Sequence, residues 1–401
     1  MKLVYLIPTF PSQTHINFWR EITAHRNQGV EVFLVSTRPP SSDCGHLWAP
    51  AAKAETTYLL PPDLSTVAAA FMNPMGCLRA VGYSAGLKES TIKQRAVAGG
   101  GSYLAATKLL KFCKRSRIDH VHVHSCATSA HIAAQCRRMG GPPYSLTLHG
   151  DLDVYGKDHG SKMAGAAFVS VVTRPLQKEV HERVKLPLDR LPVITCGVDT
   201  SKFCPLPKRE RVSGKLHLLT VSRLNRTKGH VHALAAVRSL VDQGLNITYT
   251  IAGEGPERRP IEDKIQEMGL ASRVNLTGSV GEHQVLELMQ ASDVFVLPSY
   301  GLGEAAPLAV MEAMSCGVPV VCSIIGGTPD MITTGVDGIL VAQQDEAGLA
   351  SAFEVLATDL DLFNQISQAA RNRALNDFDY MLLGKRLLEE MTRRLPQKSI
   401  R

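Results

Sequence analysis

Residues 293–323 read DVFVLPSYGLGEAAPLAVMEAMSCGVPVVCS, and their reading decides the fold. DVFVLPS and VPVVCS are short, apolar and closed by turn residues, so each reads as a buried strand. Between them Pro307 suits the first residue of a helix, where its missing N–H is harmless. Gly317 suits the residue just after the helix ends, with Pro319 beyond it. The expected helix therefore runs from about Pro307 to Cys316, with Ala306 as its N-cap. Strand, helix, strand is the repeat of a parallel sheet covered by helices.

The pattern extends in both directions. Before the quoted stretch stand the strand-like LHLLTVSR, NITYTIAG and RVNLTG; after it comes GILVAQ. The first half has its own series in KLVYLIP, VEVFLVS, HVHVHS, YSLTLHG and FVSVVT. Helical periodicity fills the intervals, for example Asn17 to Gln28 and Leu104 to Arg115. TSKFCPLPKRERVSGK, rich in proline and charge, reads as a linker. The expected architecture is α/β, with two Rossmann-like doubly wound domains facing each other across a cleft. Residues 1–205 form the first, 213–378 the second, and a C-terminal helix over 379–401 packs back towards the first. Ligands of such sheets bind beyond the carboxyl ends of the strands.

Bulk properties narrow the function. A chain of 401 residues holds two or three domains at roughly 100–200 residues each. MKLVYLIPTF reads as a first strand and not as a signal peptide, and no apolar run of about 18 residues suggests a membrane span. Nine cysteines without a CxxC pair suit reduced thiols in the cytoplasm. Residues 1–200 hold 23 Lys and Arg against 14 Asp and Glu, while residues 201–401 hold 21 against 23. The excess is densest over 79–117, with nine basic residues and one acidic, Glu89. Such a segment suits an anionic membrane surface or an anionic substrate. Nucleic acid is not expected, because aromatic residues to stack bases are scarce there.

Glu304 and Glu312 are the only charges between Gly303 and Gly317, in a run of small and apolar residues. A carboxylate accepts hydrogen bonds from paired hydroxyls, the usual way of holding a ribose or a hexose. An Ala N-cap leaves the N–H groups from Leu308 onward, and the positive end of the helix dipole, for an anion such as phosphate. A second signal is VSRLNRTKGH, 221–230, in which Arg223 follows a strand and Lys228 precedes a helix. Two cations at a strand's carboxyl end can clamp a pyrophosphate.

Taken together, SRLNRTKG, then IAGEGPERRPIE with Gly253 and Gly255, VNLTGSV with Gly278, the E-x(7)-E pair followed by AMSCGVPVV, and IIGGTPDMITTGVDGILV resemble the retaining glycosyltransferases of family 4. That resemblance covers nearly the whole chain. It implies the GT-B fold and transfer of a sugar from a nucleotide diphosphate sugar, with no cofactor and no divalent metal required. Arg223 and Lys228 would neutralise the leaving diphosphate, Glu312 would hold the ribose and Glu304 the transferred sugar. Backbone groups at Ala306, Pro307 and Leu308 would hold phosphate or sugar, and the glycine loops would frame a base that could be uracil or guanine.

In the first domain, PTFPSQTH resembles the PxxSET-type loop of family members that build exopolysaccharides. It places Thr9, Ser12, Gln13 and Thr14 after strand one, with Gln13 where Glu is usual. His149 in YSLTLHG resembles the His of an HGxD element that approaches the transferred sugar. Asp151 and Asp153 straddle the position of that element's acid, and the role of either is open. Cys196 stands where Asn is usual in a turn resembling NGVD. His120, His122 and His124 alternate on one strand and share a face. No carboxylate or cysteine stands near them at ligand spacing, so they are expected to line the cleft or pack in the core, without a metal.

The expected reaction is retaining transfer to a hydroxyl of a glycan or lipid-linked acceptor, in polysaccharide or glycolipid synthesis at the inner membrane face. The protein would act by positioning and electrostatic stabilisation, with a hinge near residues 200–214. Two alternatives stand beside this reaction, and SRLNRTKG with E-x(7)-E speaks against the first. One is a nucleotide-sugar 2-epimerase of the same fold. The other is a non-catalytic nucleotide-sugar-binding partner in a polysaccharide assembly complex.

Overall fold

A computed structural model describes residues 1–40, 44–206, 212–301 and 304–395. The centre of the expected linker, 207–211, lies outside the described residues. The chain forms two compact units, Met1–Thr195 together with the stretch from Leu383 onward, and Cys196–Leu382.

The first unit contains β1 (Lys2–Thr9), β2 (Glu31–Arg38), β3 (Thr57–Tyr58), β4 (His120–His124), β5 (Tyr144–Leu148) and β6 (Val169–Val171). They form one sheet in the order β3-β2-β1-β4-β5-β6, with every pair parallel. The second unit contains β7 (Lys215–Val221), β8 (Asn246–Ala252), β9 (Val274–Gly278), β10 (Val294–Leu297), β11 (Val320–Ser323) and β12 (Ile339–Val341). Their order, β12-β11-β10-β7-β8-β9, repeats the first sheet's plan. Strand order reverses between β1 and β4 in one unit, and between β7 and β10 in the other. At such a switch point the loops leaving two adjacent strands diverge and open a crevice.

Burial on both faces explains the continuous apolar runs. In the second unit Leu216, Leu218, Val294, Val296 and Val321 enter one core. Their alternating neighbours Leu219, Phe295, Leu297, Val320 and Cys322 enter another on the opposite face. Phe203, within the stretch read as linker, is buried in that second core. In the first unit Leu3, Tyr5 and Ile7 of β1 pack with Leu383, Leu387 and Met391. Those three recur every four residues along the helix Tyr380–Arg393, which places them on one stripe.

The differences from the sequence reading are local. The helix of the quoted stretch spans Leu308–Ser315, and Pro307, not Ala306, is its N-cap in an extended conformation. β3 pairs through only two residues, too few to show an alternating pattern. The helices Leu64–Phe71, Pro74–Ala85 and Ile92–Ala96 fill the connection before β4. No helix among the described residues is long and apolar enough to cross a membrane.

Gly384 lets the C-terminal helix close onto the helix Ile16–Asn27, because a Cβ there would fall 2.6 Å from the Ala24 Cβ. The adjacent His25 Nε2 then donates to the Gly384 carbonyl at 2.8 Å. Gly384→Leu should therefore destabilise the protein by about 1–3 kcal/mol through overpacking. Urea unfolding measures this, and an unchanged midpoint would show that the two helices separate readily.

Candidate functional site

Arg223, Lys228, Glu304, Pro307 and Leu308 line one cavity of about 370 Å³ in the second unit, together with Asn225, Thr227 and Ala309. It lies at the carboxyl ends of β7 and β10, the switch point of that sheet. The loop after β7 makes a short 3-10 turn at Arg226–Lys228 and reverses at Gly229, whose φ is +69°. A Cβ at Gly229 would overlap the Pro298 carbonyl, and the Tyr300 N–H donates to the Thr227 carbonyl at 2.8 Å. The two loops are thus clamped backbone to backbone, which fixes the separation of the side chains they carry.

Glu304 is 7% exposed. Its Oε1 accepts from Ser299 Oγ at 2.8 Å and pairs with Lys228 Nζ. A carboxylate this buried needs such a partner, since an unpaired charge there costs several kcal/mol. Its backbone is held from the other side: a Cβ at Gly326 would overlap the Glu304 carbonyl, and the Gly327 N–H donates to that carbonyl. Arg223 is exposed, and its guanidinium has no ion-pair partner among the described residues. The helix beginning at Leu308 has no side-chain cap and no acidic residue in its first turn. Its first N–H groups are therefore left for a ligand. Cations, hydroxyls and a helix N-terminus around one cavity suit a phosphate-bearing polyol.

Glu312, 8% exposed, is not in the cavity lining. It sits one turn beyond Leu308 on the same face of the helix. Burial, and secondarily its charge, push the Cys316 thiol up to about 12. Gly253 and Gly255 hold the loop after β8 against the loop after β7, where a Cβ at either would meet the carbonyls of Ser222 and Leu224. The Gly253 N–H donates to the Gly278 carbonyl at 2.8 Å. These three glycines and Ala306 shape the site's backbone without lining the cavity.

In the first unit Thr9 pairs with Arg38 at the end of β1. Ser12 accepts the His15 N–H through its carbonyl. Gln13 Oε1 accepts the Gly45 N–H at 3.1 Å, and His46 Nε2 donates to the Gln13 carbonyl. Gln13 therefore ties two loops together, while Thr14 is exposed in the same turn as Gln13. Asp153 is exposed and paired with Arg183 at 2.8 Å, and Asp151 precedes the same short turn.

His149 Nε2 lies 3.0 Å from His124 Nδ1, and burial pushes His149 down to about 3. The expectation that no carboxylate accompanies the strand histidines is corrected here. Glu21, from the helix Ile16–Asn27, reaches His124 Nε2 at 3.2 Å and His122 Nε2 at 3.8 Å. Sequence spacing could not reveal this, because Glu21 is about a hundred residues away along the chain. Burial alone would raise the Glu21 carboxyl, but the imidazoles of His124, His122 and His25 hold it well below its usual range. Tyr5 Oη donates to Glu21 at 2.7 Å, and Phe18 stacks on His124 with ring centroids 4.2 Å apart. Atoms of Glu21, His122 and His124 lie within 4.8 Å of one another and could hold a metal ion. Glu21 already accepts from Tyr5 Oη, and His122 Nε2 is engaged by Thr147 Oγ1 at 2.9 Å.

Residues 206–373 match the family described as glycosyl transferases group 1, and residues 95–202 match glycosyltransferase family 4. A putative colanic acid biosynthesis glycosyltransferase, WcaL of Escherichia coli K12, is 32% identical over 51% of this chain and 52% of its own. The amylovoran biosynthesis glycosyltransferase AmsK of Erwinia amylovora is 25% identical over 98% of this chain and 100% of its own. The chain spans about half the length of the first curated relatives it matches. Among solved structures, Anabaena Alr3699/HepE in complex with UDP superposes with a TM-score of 0.73 at 16% identity, covering 98% of this chain and 100% of that one. At that identity the likeness is one of fold.

Buried neutral histidines make stability depend on pH. Burial holds His120 at about 3 and His230 at about 4. The folded state resists protons that the unfolded chain accepts near ~6.5, so their contribution is full above that pH and is lost as pH falls towards 3. Each such group should remove up to ~1.4 kcal/mol per pH unit in that window. Urea midpoints at pH 7.5, 6.5 and 5.5 should fall in that order, and His120→Asn should flatten the slope. A midpoint constant across the series would contradict the neutral, buried assignment.

Proposed function

We propose that this chain, which belongs to the family 4 glycosyltransferases and has their α/β GT-B fold, moves a sugar from a nucleotide diphosphate sugar to a hydroxyl of a glycan or lipid-linked acceptor. The observation that carries the reading is the convergence of Arg223, Lys228, Glu304 and the uncapped helix at Leu308 on one cavity at a sheet's switch point. The relatives named for colanic acid and amylovoran biosynthesis support a role in polysaccharide or glycolipid synthesis. The UDP bound by the Anabaena neighbour supports a nucleotide donor.

In this reading the diphosphate lies between Arg223, Lys228 and the first N–H groups of the helix. Charge grows on its leaving oxygen as the bond to the sugar breaks, and these groups stabilise it where it develops. Lys228 is paired with Glu304 before the donor arrives; the diphosphate gives it a second anion, and Glu304 becomes available to sugar hydroxyls. Glu312 holds the ribose. The acceptor hydroxyl attacks from the side the diphosphate leaves, a departing phosphate oxygen takes its proton, and configuration is retained. His149 acts on the sugar, as the family resemblance implies. The basic segment 79–117 places the enzyme against anionic lipid at the cytoplasmic membrane face.

Positive charge from Arg223, Lys228 and the helix serves in place of a metal ion. Full turnover in excess chelator is expected. Abolition by chelator with rescue by manganese or magnesium would overturn this and make Asp151 and Asp153 ligand candidates.

Roles of the four charged residues separate kinetically. Arg223→Ala and Lys228→Ala should each lower turnover by about 10²–10³. Glu312→Ala should weaken donor and free nucleotide alike, because the ribose does not change during the reaction. Glu304→Ala should impair transfer while leaving nucleotide diphosphate affinity nearly intact. Calorimetry beside initial rates reads the contrast. If folded Glu304→Ala loses nucleotide binding while Glu312→Ala keeps it, the assignment is reversed.

A further inference from the structure

The first unit has a cavity of its own, about 440 Å³, lined by Ser90, Lys93, Ser102, Thr128, Lys157 and Lys162 among others, with no carboxylate in its wall. It lies beside the loops that leave β4 and β5. Lys162 is fully buried, and its Nζ donates to the Cys126 carbonyl at 2.6 Å and the Tyr155 carbonyl at 3.0 Å. An ammonium has three protons, and no carboxylate pairs with this one among the described residues. Asp158 and Glu89 act on its charge through space, but neither hydrogen-bonds to its Nζ. Asp158 accepts from Ser90 Oγ and from the Glu89 N–H, while Glu89 accepts the Asp158 N–H. With two carbonyl acceptors among the described residues, the ammonium has a third proton to offer an anion.

Three further features point the same way. Ser102, 1% exposed, lines the cavity with a hydroxyl that has no hydrogen-bond partner among the described residues. The helix Thr128–Arg138 begins at the wall without a side-chain cap and without an acidic residue in its first turn. Lys93 and Lys157 stand exposed at the rim. The cavity also meets an apolar surface. Val97 lines it and is itself exposed, and the adjoining helices carry Ile92, Val81, Leu78, Met75, Met72, Phe71 and Leu64, all more than half exposed. An exposed apolar patch of this extent beside cations is suited to an amphiphile.

We propose that this cavity binds the phosphate or diphosphate of a lipid-linked acceptor, whose hydrocarbon chain runs along the exposed apolar residues from Val97 towards Leu64. The inference rests on the reading of the chain as a transferase that extends such acceptors, and it names the group by which the acceptor is held. Lys162, Ser102 and the helix N-terminus at Thr128 contact the phosphate, and Lys93 and Lys157 draw it in.

Calorimetry on the full chain tests this with three probes: farnesyl diphosphate, inorganic pyrophosphate, and vesicles with or without phosphatidylglycerol. Farnesyl diphosphate should bind more tightly than pyrophosphate. Its affinity should fall about tenfold or more in Lys93→Glu/Lys157→Glu and in Ser102→Ala/Lys162→Met, the size expected for losing hydrogen bonds to a charged group. Arg223→Ala should leave it unchanged. Should the buried pair of substitutions prevent folding, the rim variant decides alone. Pyrophosphate binding as tightly as farnesyl diphosphate would remove the lipid chain from the proposal. Loss in Arg223→Ala, or in neither cavity variant, would overturn the site, as would an effect of the rim charges on vesicle binding alone. Nucleotide diphosphate titrated into the same variants keeps the two readings apart. Its failure to bind wild type would sink the donor assignment, whereas a failure of this proposal would leave that binding intact.

Discussion

Glu304 is a nearly buried carboxylate whose charge is tolerated because Lys228 and Ser299 meet it. The pair joins the loop after β7 to the loop after β10, the two loops that diverge at the switch point of the second sheet. Around it the chain removes every obstacle to close approach. Gly229 yields to the Pro298 carbonyl and Gly326 to that of Glu304 itself. A larger side chain at either position would push the carboxylate and the ammonium apart. What remains is a cavity whose loops meet through close backbone contacts at Gly229 and Gly326, and preorganised charge of this kind favours stabilisation of a leaving group.

The two sheets share a strand order, yet their polar content differs because different groups fill the strand ends. In the second unit cations and a carboxylate converge on an uncapped helix. In the first unit aromatic rings and imidazoles fill the corresponding region: Phe18, His124 and His149 pack together while Glu21 ties His124 to Tyr5. Burial keeps His149 neutral, so it can donate or accept a hydrogen bond but does not bring a positive charge to its surroundings. The first unit also carries the connection between β3 and β4, whose helices bury Tyr83, Leu87 and Tyr103 and leave apolar residues outward. One fold thereby carries a charged cavity in one unit and exposed apolar residues in the other, through what its loops and connections hold.

Much of this was determined by the sequence alone. Eleven of the twelve strands among the described residues were legible, most of them as short apolar runs because parallel strands are buried on both faces. Arg223 and Glu304 were legible as candidates for a related reason, a charge directly after such a run or within an apolar stretch, while Lys228 was legible only through its place in SRLNRTKG. Local chemistry also foretold the uncapped helix, although Pro307 and not Ala306 occupies the N-cap, since neither offers a side-chain acceptor. Tertiary structure alone decided the rest. Glu21 meets His122 and His124 only because β1 and β4 are neighbours in the sheet and the helix after β1 packs over them. Lys162 reads as one more surface lysine until the fold buries it beside the carbonyls of Cys126 and Tyr155. Periodicity and composition report contacts between near neighbours in the chain; partners far apart are set by strand order and packing, which no local pattern encodes.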